Sequence, residues 1–184
     1  MKITLFILPI MFVACMIASC SDDNTWEDYE EWRQTNETWL REQQSLLDDE
    51  GNLFYQRVIP KWNKSAYILI HYFNDRKLTD GNLSPLFTST VDVKYIGHLY
   101  NGEPFDSSYV NTTHGDSIYR TTLGDVIEGW AIALEDMRVG DSVRIVVPQA
   151  QGYGASYQGS IPPYSALEFD IKLVDIPYYE IKPQ

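Results

Sequence analysis

Beyond residue 50, one stretch alone has helical spacing. It runs from Val126 to Met137, with Ile127, Trp130, Ala131, Leu134 and Met137 three or four residues apart, and Gly140 stops it. Around it the patterns are those of strands. Ala66 to Phe73 is rich in β-branched and aromatic residues. Thr88 to Tyr100 sets Val91, Val93, Tyr95 and Gly97 against Asp92, Lys94, Ile96 and His98, and Asn101-Gly102 closes it with a hairpin signal. Ser117 to Thr122, Ser142 to Val147 and Ala166 to Val174 read as further strands, the middle one stopped by Pro148. Asn74 to Ser84, Asp106 to Gly115 and Gln149 to Pro163 read as loops. One short helix among several antiparallel-looking strands argues α+β. The helix is expected to open with Val126-Ile127, directly after the Leu123-Gly124-Asp125 turn, and to present Trp130.

The first nineteen residues have the build of a targeting segment. Lys2 supplies a positive start, and Ile3 to Met16 is almost wholly apolar but too short to span a membrane. Ile17-Ala-Ser-Cys20 resembles a bacterial lipobox, with Cys20 as the lipidated residue; Phe12-Val-Ala-Cys15 is a poorer second candidate. The expectation is a signal peptide over residues 1–19. A lipid anchor would then hold the chain to the cell envelope, at the outer membrane, on its periplasmic or surface-exposed leaflet. Ser21-Asp-Asp-Asn24 is an acidic tether, readable as a plain linker or as a surface-export signal. Both cysteines of the chain, Cys15 and Cys20, lie here, so the remainder has no thiol for a disulfide, a metal or nucleophilic attack. The net charge of −12 argues against a nucleic-acid partner.

Residues 20–50 form the tether and a helix from Thr25 to about Leu47. Thr25 with Asp28 resembles a capping box. Trp26, Tyr29, Trp32, Trp39, Leu40 and Leu46/Leu47 fall on one broad face, with Glu27, Asp28, Glu30, Glu31 and Glu37 at other positions. A stripe of that size must be covered. Two coverings are open: the chain's own domain, or a second copy in a homodimer through residues 25–47. Asp48-Asp-Glu-Gly51 ends the helix, and residues 51–87 supply a strand and a connecting segment.

The chemistry-bearing residues are aromatic and aliphatic. Tyr95, Phe105-Asp106, Val126-Ile127, Trp130 and Tyr153 offer rings, two short anchors and one carboxylate, without a nucleophile–base pair. That suits an apolar cleft for an uncharged group. His71, His98 and His114 lack metal-ligand spacing. No phosphate loop, GxSxG or HExxH occurs, and the acidic helix lacks the loop spacing of an EF-hand.

Several pieces then occur in a recognisable order: Val-Lys-Tyr95, Gly102-Glu-Pro-Phe-Asp106-Ser-Ser, Leu123-Gly followed by Val126-Ile-Glu-Gly-Trp130, Met137-Arg-Val-Gly140, Tyr153-Gly154, Ile161-Pro-Pro163 and Leu167-Glu-Phe169-Asp-Ile. Residues 88–176 thereby resemble the FKBP-type peptidyl-prolyl isomerases, leaving 177–184 as a tail. The resemblance implies a curved antiparallel sheet wrapped over the short helix, with proline bound between them. It implies Trp130 as floor, with Tyr95, Phe105, Val126, Ile127 and Phe169 as walls and Tyr119 as a further aromatic lining. Ile161 would close the rim and Asp106 would sit inside. The Tyr153 hydroxyl and the Ile127 N–H would hold substrate carbonyls. No cofactor or metal is implied. The implied activity is cis–trans isomerisation of X–Pro bonds in proline-containing or unfolded exported polypeptides. A binding module of the same fold without turnover is the alternative.

Three departures stand out. The Gly124-Asp125 link is about two residues shorter than the commonest family form. The family's basic residue after the Phe-Asp pair is missing, with Asn111 near that position. Ser160 replaces an aliphatic rim residue.

Overall fold

The computed structural model describes residues 25–178. The proposed signal peptide, Cys15, Cys20, the acidic tether and the end of the C-terminal tail lie outside them. All seven strands among the described residues belong to one antiparallel sheet. In chain order the elements are α1 (Thr25–Asp28), α2 (Glu30–Gln44), β1 (Gln56–Val58), β2 (Ile68–Tyr72), β3 (Thr90–Leu99), β4 (Pro104–Ser107), β5 (Tyr119–Thr122), α3 (Glu128–Asp136), β6 (Ser142–Val147) and β7 (Leu167–Asp175). The strand order is β1-β2-β6-β7-β3-β4, and β5 pairs with the first half of β3.

The long strand β3 organises the sheet. One edge pairs with β7 from Asp92 to Leu99; the other is shared by β5 and β4. Its alternation has the expected consequence. Val91, Val93 and Tyr95 are buried under α3, while Lys94 and Ile96 face outward and are half-buried. Gly97 sits where β3 needs no side chain: a Cβ there would stand 2.6 Å from Phe105 Cζ and 2.9 Å from Phe169 Cε1. Gly129 has the same role in α3, since a Cβ would meet Val147 Cγ1 at 2.4 Å. The helix therefore lies very close on β6. Trp130, Ile132, Ala133, Leu134 and Met137 join Ile68, Ile70, Val143, Ile145, Leu167, Ile171 and Leu173 in one continuous core. Burying such side chains contributes roughly 1.5–3 kcal/mol each before entropy is subtracted.

Several expectations need correction. The helix from Thr25 is broken at Tyr29 and stops at Gln44. Leu46 and Leu47 lie beyond it and are exposed. Asp106 lies in β4 rather than in a loop, because the Asn101-Gly102 turn, with Gly102 at φ +82°, folds Pro104–Ser107 back onto β3. Val126 and Ile127 precede α3 in extended conformation, with Ile127 capping it. This β-branched pair stays outside the helix, where its restricted χ1 rotamers cost less. Residues 51–87 hold two strands, and these extend the same sheet past β6.

The aromatic stripe of α1 and α2 lies on the same chain. Trp26 meets Tyr164 edge to face with ring centroids 5.3 Å apart, and Trp32 meets Tyr100 at 5.1 Å. Tyr29 packs on Tyr157 and their hydroxyls hydrogen-bond. The Trp32 indole N–H donates to Ser165 Oγ at 3.1 Å. Buried Asn36 accepts from the Ala166 N–H at 2.9 Å and donates to the Trp32 carbonyl at 2.8 Å. Trp39 and Leu40 cover Tyr55, Leu69 and Val146 on the sheet. Among the described residues, no helix is long and apolar enough to cross a membrane.

Candidate active site

Between the concave sheet face and the start of α3 lies a cavity of about 250 Å³. Its walls are built from six places in the chain. β3 carries Tyr95, and β4 carries Phe105 and Asp106. β7 carries Phe169, the turn into α3 carries Val126 and Ile127, and the first turn of α3 carries Trp130. Tyr119 comes from β5, and Tyr153 from the loop after β6.

The rings lock one another. Phe105, Phe169, Trp130, Tyr95 and Tyr119 form a chain of edge-to-face contacts, with successive centroids 5.4, 5.3, 4.9 and 5.5 Å apart. This is the arrangement preferred by ring quadrupoles, and each such pair adds roughly 0.5–1.5 kcal/mol beyond its burial. Trp130 is buried, and its indole nitrogen has no hydrogen-bond partner among the described residues.

Asp106 is the polar member of this box, and three donors orient it. Tyr95 Oη donates to Oδ2 at 2.6 Å, Asn111 Nδ2 to Oδ1 at 2.6 Å, and the Ser107 N–H to Oδ1 at 2.8 Å. Asn111 thus fills the place of the expected basic residue with a neutral donor. Burial, followed by the hydrogen bond to Asp106, pushes the Tyr95 phenol far above its ordinary pKa. Burial and then the nearby Asp106 charge raise that of Tyr153. Both phenols are therefore hydroxyl donors at any physiological pH. The Ile127 N–H, at the positive end of α3, has no acceptor among the described residues.

Nine of the ten expected cleft residues line this cavity. Ile161 does not. It is buried and lines an adjoining recess of about 210 Å³ with Phe105, Asp106, Tyr153 and Ser160. Reciprocal backbone bonds between Gln158 and Ile161 turn the chain there, so that Gln158 reaches the cavity instead. Gln158 and Asp125 were not anticipated. Asp125 had a signal, since it occupies the unusually short link before Val126. Gln158 had none, because an irregular loop carries no period.

The family model described as FKBP-type peptidyl-prolyl cis-trans isomerase matches residues 84–174. Those residues belong to the FKBP-type peptidyl-prolyl cis-trans isomerase family. The FKBP-type isomerase FkpA of Escherichia coli strain K12 is 36% identical over 104 residues, which are 55% of this chain and 37% of FkpA. The peptidyl-prolyl cis-trans isomerase FKBP53 of Arabidopsis thaliana is 42% identical over 89 residues, 47% of this chain and 18% of the plant protein. The chain thus spans well under two thirds of these relatives' length. Among solved structures, a peptidyl-prolyl cis-trans isomerase from Pseudomonas syringae pv. tomato superposes with a TM-score of 0.63 at 25% identity, covering 80% of this chain and 95% of that one. The E. coli FkpA crystal structure also gives 0.63, at 24% identity, covering 82% and 63%. The aromatic box lies wholly within the matched residues 84–174.

Proposed function

We propose that the chain is a lipid-anchored peptidyl-prolyl cis–trans isomerase that assists the folding of exported proteins. The observation that carries this is the aromatic box: five rings joined in a chain of edge-to-face contacts, all lining one cavity. The X–Pro amide resists rotation by roughly 18–20 kcal/mol because rotation breaks its resonance. Resonance makes the planar amide polar, and water favours that form. The twisted amide is less polar, so apolar walls favour it relative to water. Catalysis of this kind is complementarity to the twisted state through desolvation, and it uses no proton transfer. Asp106 orients Tyr95. Tyr153 Oη and the Ile127 N–H hold the flanking carbonyls and so fix the axis of rotation.

The test is acceleration of X–Pro isomerisation in short peptides by residues 21–184. Asp106→Val and Tyr153→Phe are each expected to lower kcat/KM by ten-fold or more, about 1.4 kcal/mol of transition-state binding. No acceleration by the unaltered chain overturns the proposal. Anchoring through Cys20 is tested separately by labelling cells with a fatty-acid analogue. Label on the unaltered protein and none on Cys20→Ser is the expected result.

A further inference from the structure

The cleft's charge has one sign. Eleven residues line it; two are the carboxylates Asp106 and Asp125, and none is Lys, Arg or His. The donors on Asp106 are a phenol, an amide side chain and a backbone N–H, so they orient its charge without offsetting it. Asp125 stands exposed at the rim, two residues before the unpaired Ile127 N–H, and takes part in no hydrogen bond or ion pair among the described residues. Several cations elsewhere are committed to other carboxylates. Arg120 holds Asp92 at 2.6 Å, Arg144 holds Asp170 at 2.7 Å, and Lys94 holds Asp116 at 3.1 Å. Arg76 faces both Asp136 and Asp141, at 3.6 and 3.7 Å.

From this we propose that the cleft selects proline segments carrying Lys or Arg next to the proline, with Asp125 as the specificity-determining residue. The inference rests on the proline-cleft reading above. The apolar floor takes the pyrrolidine ring and cannot discriminate among its neighbours. The rim carboxylate lies where a residue flanking the proline passes. A cation there gains a solvent-exposed pair, which is modest and screened. An anion meets two like charges with no counter-ion. The contrast between Lys and Glu is therefore larger than that between Lys and Gln.

The experiment uses peptide triplets bearing Lys, Gln or Glu, first in the position before proline and then in the position after it. Isomerisation rate and calorimetric affinity are both recorded. In one of the two positions, Lys is expected to exceed Glu by about three- to ten-fold at low salt, with Gln between. The ratio should fall below about two-fold at 1 M salt, where the screening length is about 3 Å. Asp125→Asn should compress the ratio, Asp125→Lys should invert it, and Asn111→Arg should compress it by setting a cation beside Asp106. Equal rates and affinities across both triplets overturn the inference while leaving turnover standing. Absence of turnover with the affinity ranking intact sinks the isomerase reading and upholds the charge selection. Asp49→Asn, a charge change away from the cleft lining, is the control. If it compresses the ratio as much as Asp125→Asn does, net charge is the cause and the inference falls.

Discussion

Alanine at Gly97 is the most direct way to move the cleft walls without touching a cleft side chain. The added Cβ would lie 2.6 Å from Phe105 Cζ, 2.7 Å from its Cε2 and 2.9 Å from Phe169 Cε1. Carbon atoms rest at about 3.5–4.0 Å, so a gap of roughly 1 Å must open. Phe169 is 3% exposed and wedged between Phe105 and Trp130, and its backbone is paired with Gly97 itself. It cannot yield without shifting the floor. Phe105 is half-buried and can swing, but it borders the cavity. Overpacking of this kind costs about 1–3 kcal/mol, which for a chain of this size is roughly 2–4 °C of Tm per kcal/mol. A 1 Å misplacement at a reacting site can cost on the order of 100-fold in rate. Urea unfolding should therefore show the stability loss, and kcat/KM on an X–Pro peptide should fall by ten-fold or more. Stability within about 0.5 kcal/mol of the parent, together with unchanged kcat/KM, would refute the packing argument. A stability loss with unchanged kcat/KM would show that Phe105 and Phe169 do not shape the reacting site.

Gly129→Ala should destabilise by a similar roughly 1–3 kcal/mol, since Val147 is fully buried and has no space to yield; a neutral result in urea unfolding would mean that α3 can lift off β6. Asn36→Ala should cost about 1–3 kcal/mol by leaving the buried Ala166 N–H without its acceptor, read by the same assay. Stability should also fall as pH rises above 10. Burial raises the phenol pKa values of Tyr55, Tyr72, Tyr95 and Tyr153 in the folded chain, while the unfolded phenols ionise near 10.0. The unfolded state then holds fewer protons than the folded one, so ΔG of unfolding declines with pH. Urea midpoints that stay level from pH 9 to pH 11 would contradict this.

What could be read in advance follows from periodicity. Thr90 to Leu99 alternates because it packs one face under α3, and Trp130 recurs in step with Leu134 and Met137, all three in the core that α3 shares with the sheet. Both patterns were visible, and with them most of the cleft. The strand β1 was not, because Gln56–Val58 is three residues long and mostly exposed, so it carries no alternation. Asp106 carries no strand signal because β4 is a four-residue edge strand whose pairing is imposed by the turn before it. The recess that Ile161 lines beside the cleft is shaped by two backbone bonds to Gln158, which leave no trace in residue type. An apolar stripe, likewise, declares that a face will be covered but does not name the cover.

The family match begins at residue 84, yet the fold does not. β2 pairs with β6 from Leu69 to Tyr72, and β1 pairs with β2. Further out, α2 reaches the cleft loop and the start of β7 through Tyr29–Tyr157, Trp32–Ser165 and Asn36–Ala166. A chain cut to residues 84–178 would expose the edge of β6 as a row of unpaired N–H and C=O groups beside Val146. Such edges template association with other chains. It would also lose the acceptor for the Ala166 N–H and the ring covering Tyr157. The cut chain is therefore expected to associate in sedimentation and to unfold at lower urea than residues 25–178. Restoring residues 51–83 should remove that association, because the segment supplies both missing strands. Restoring residues 25–50 as well should recover the rest of the stability, because α2 covers Leu69, Val146 and the loop. A cut chain that stays monomeric with the full urea midpoint would show that the N-terminal segments merely rest on an independent domain.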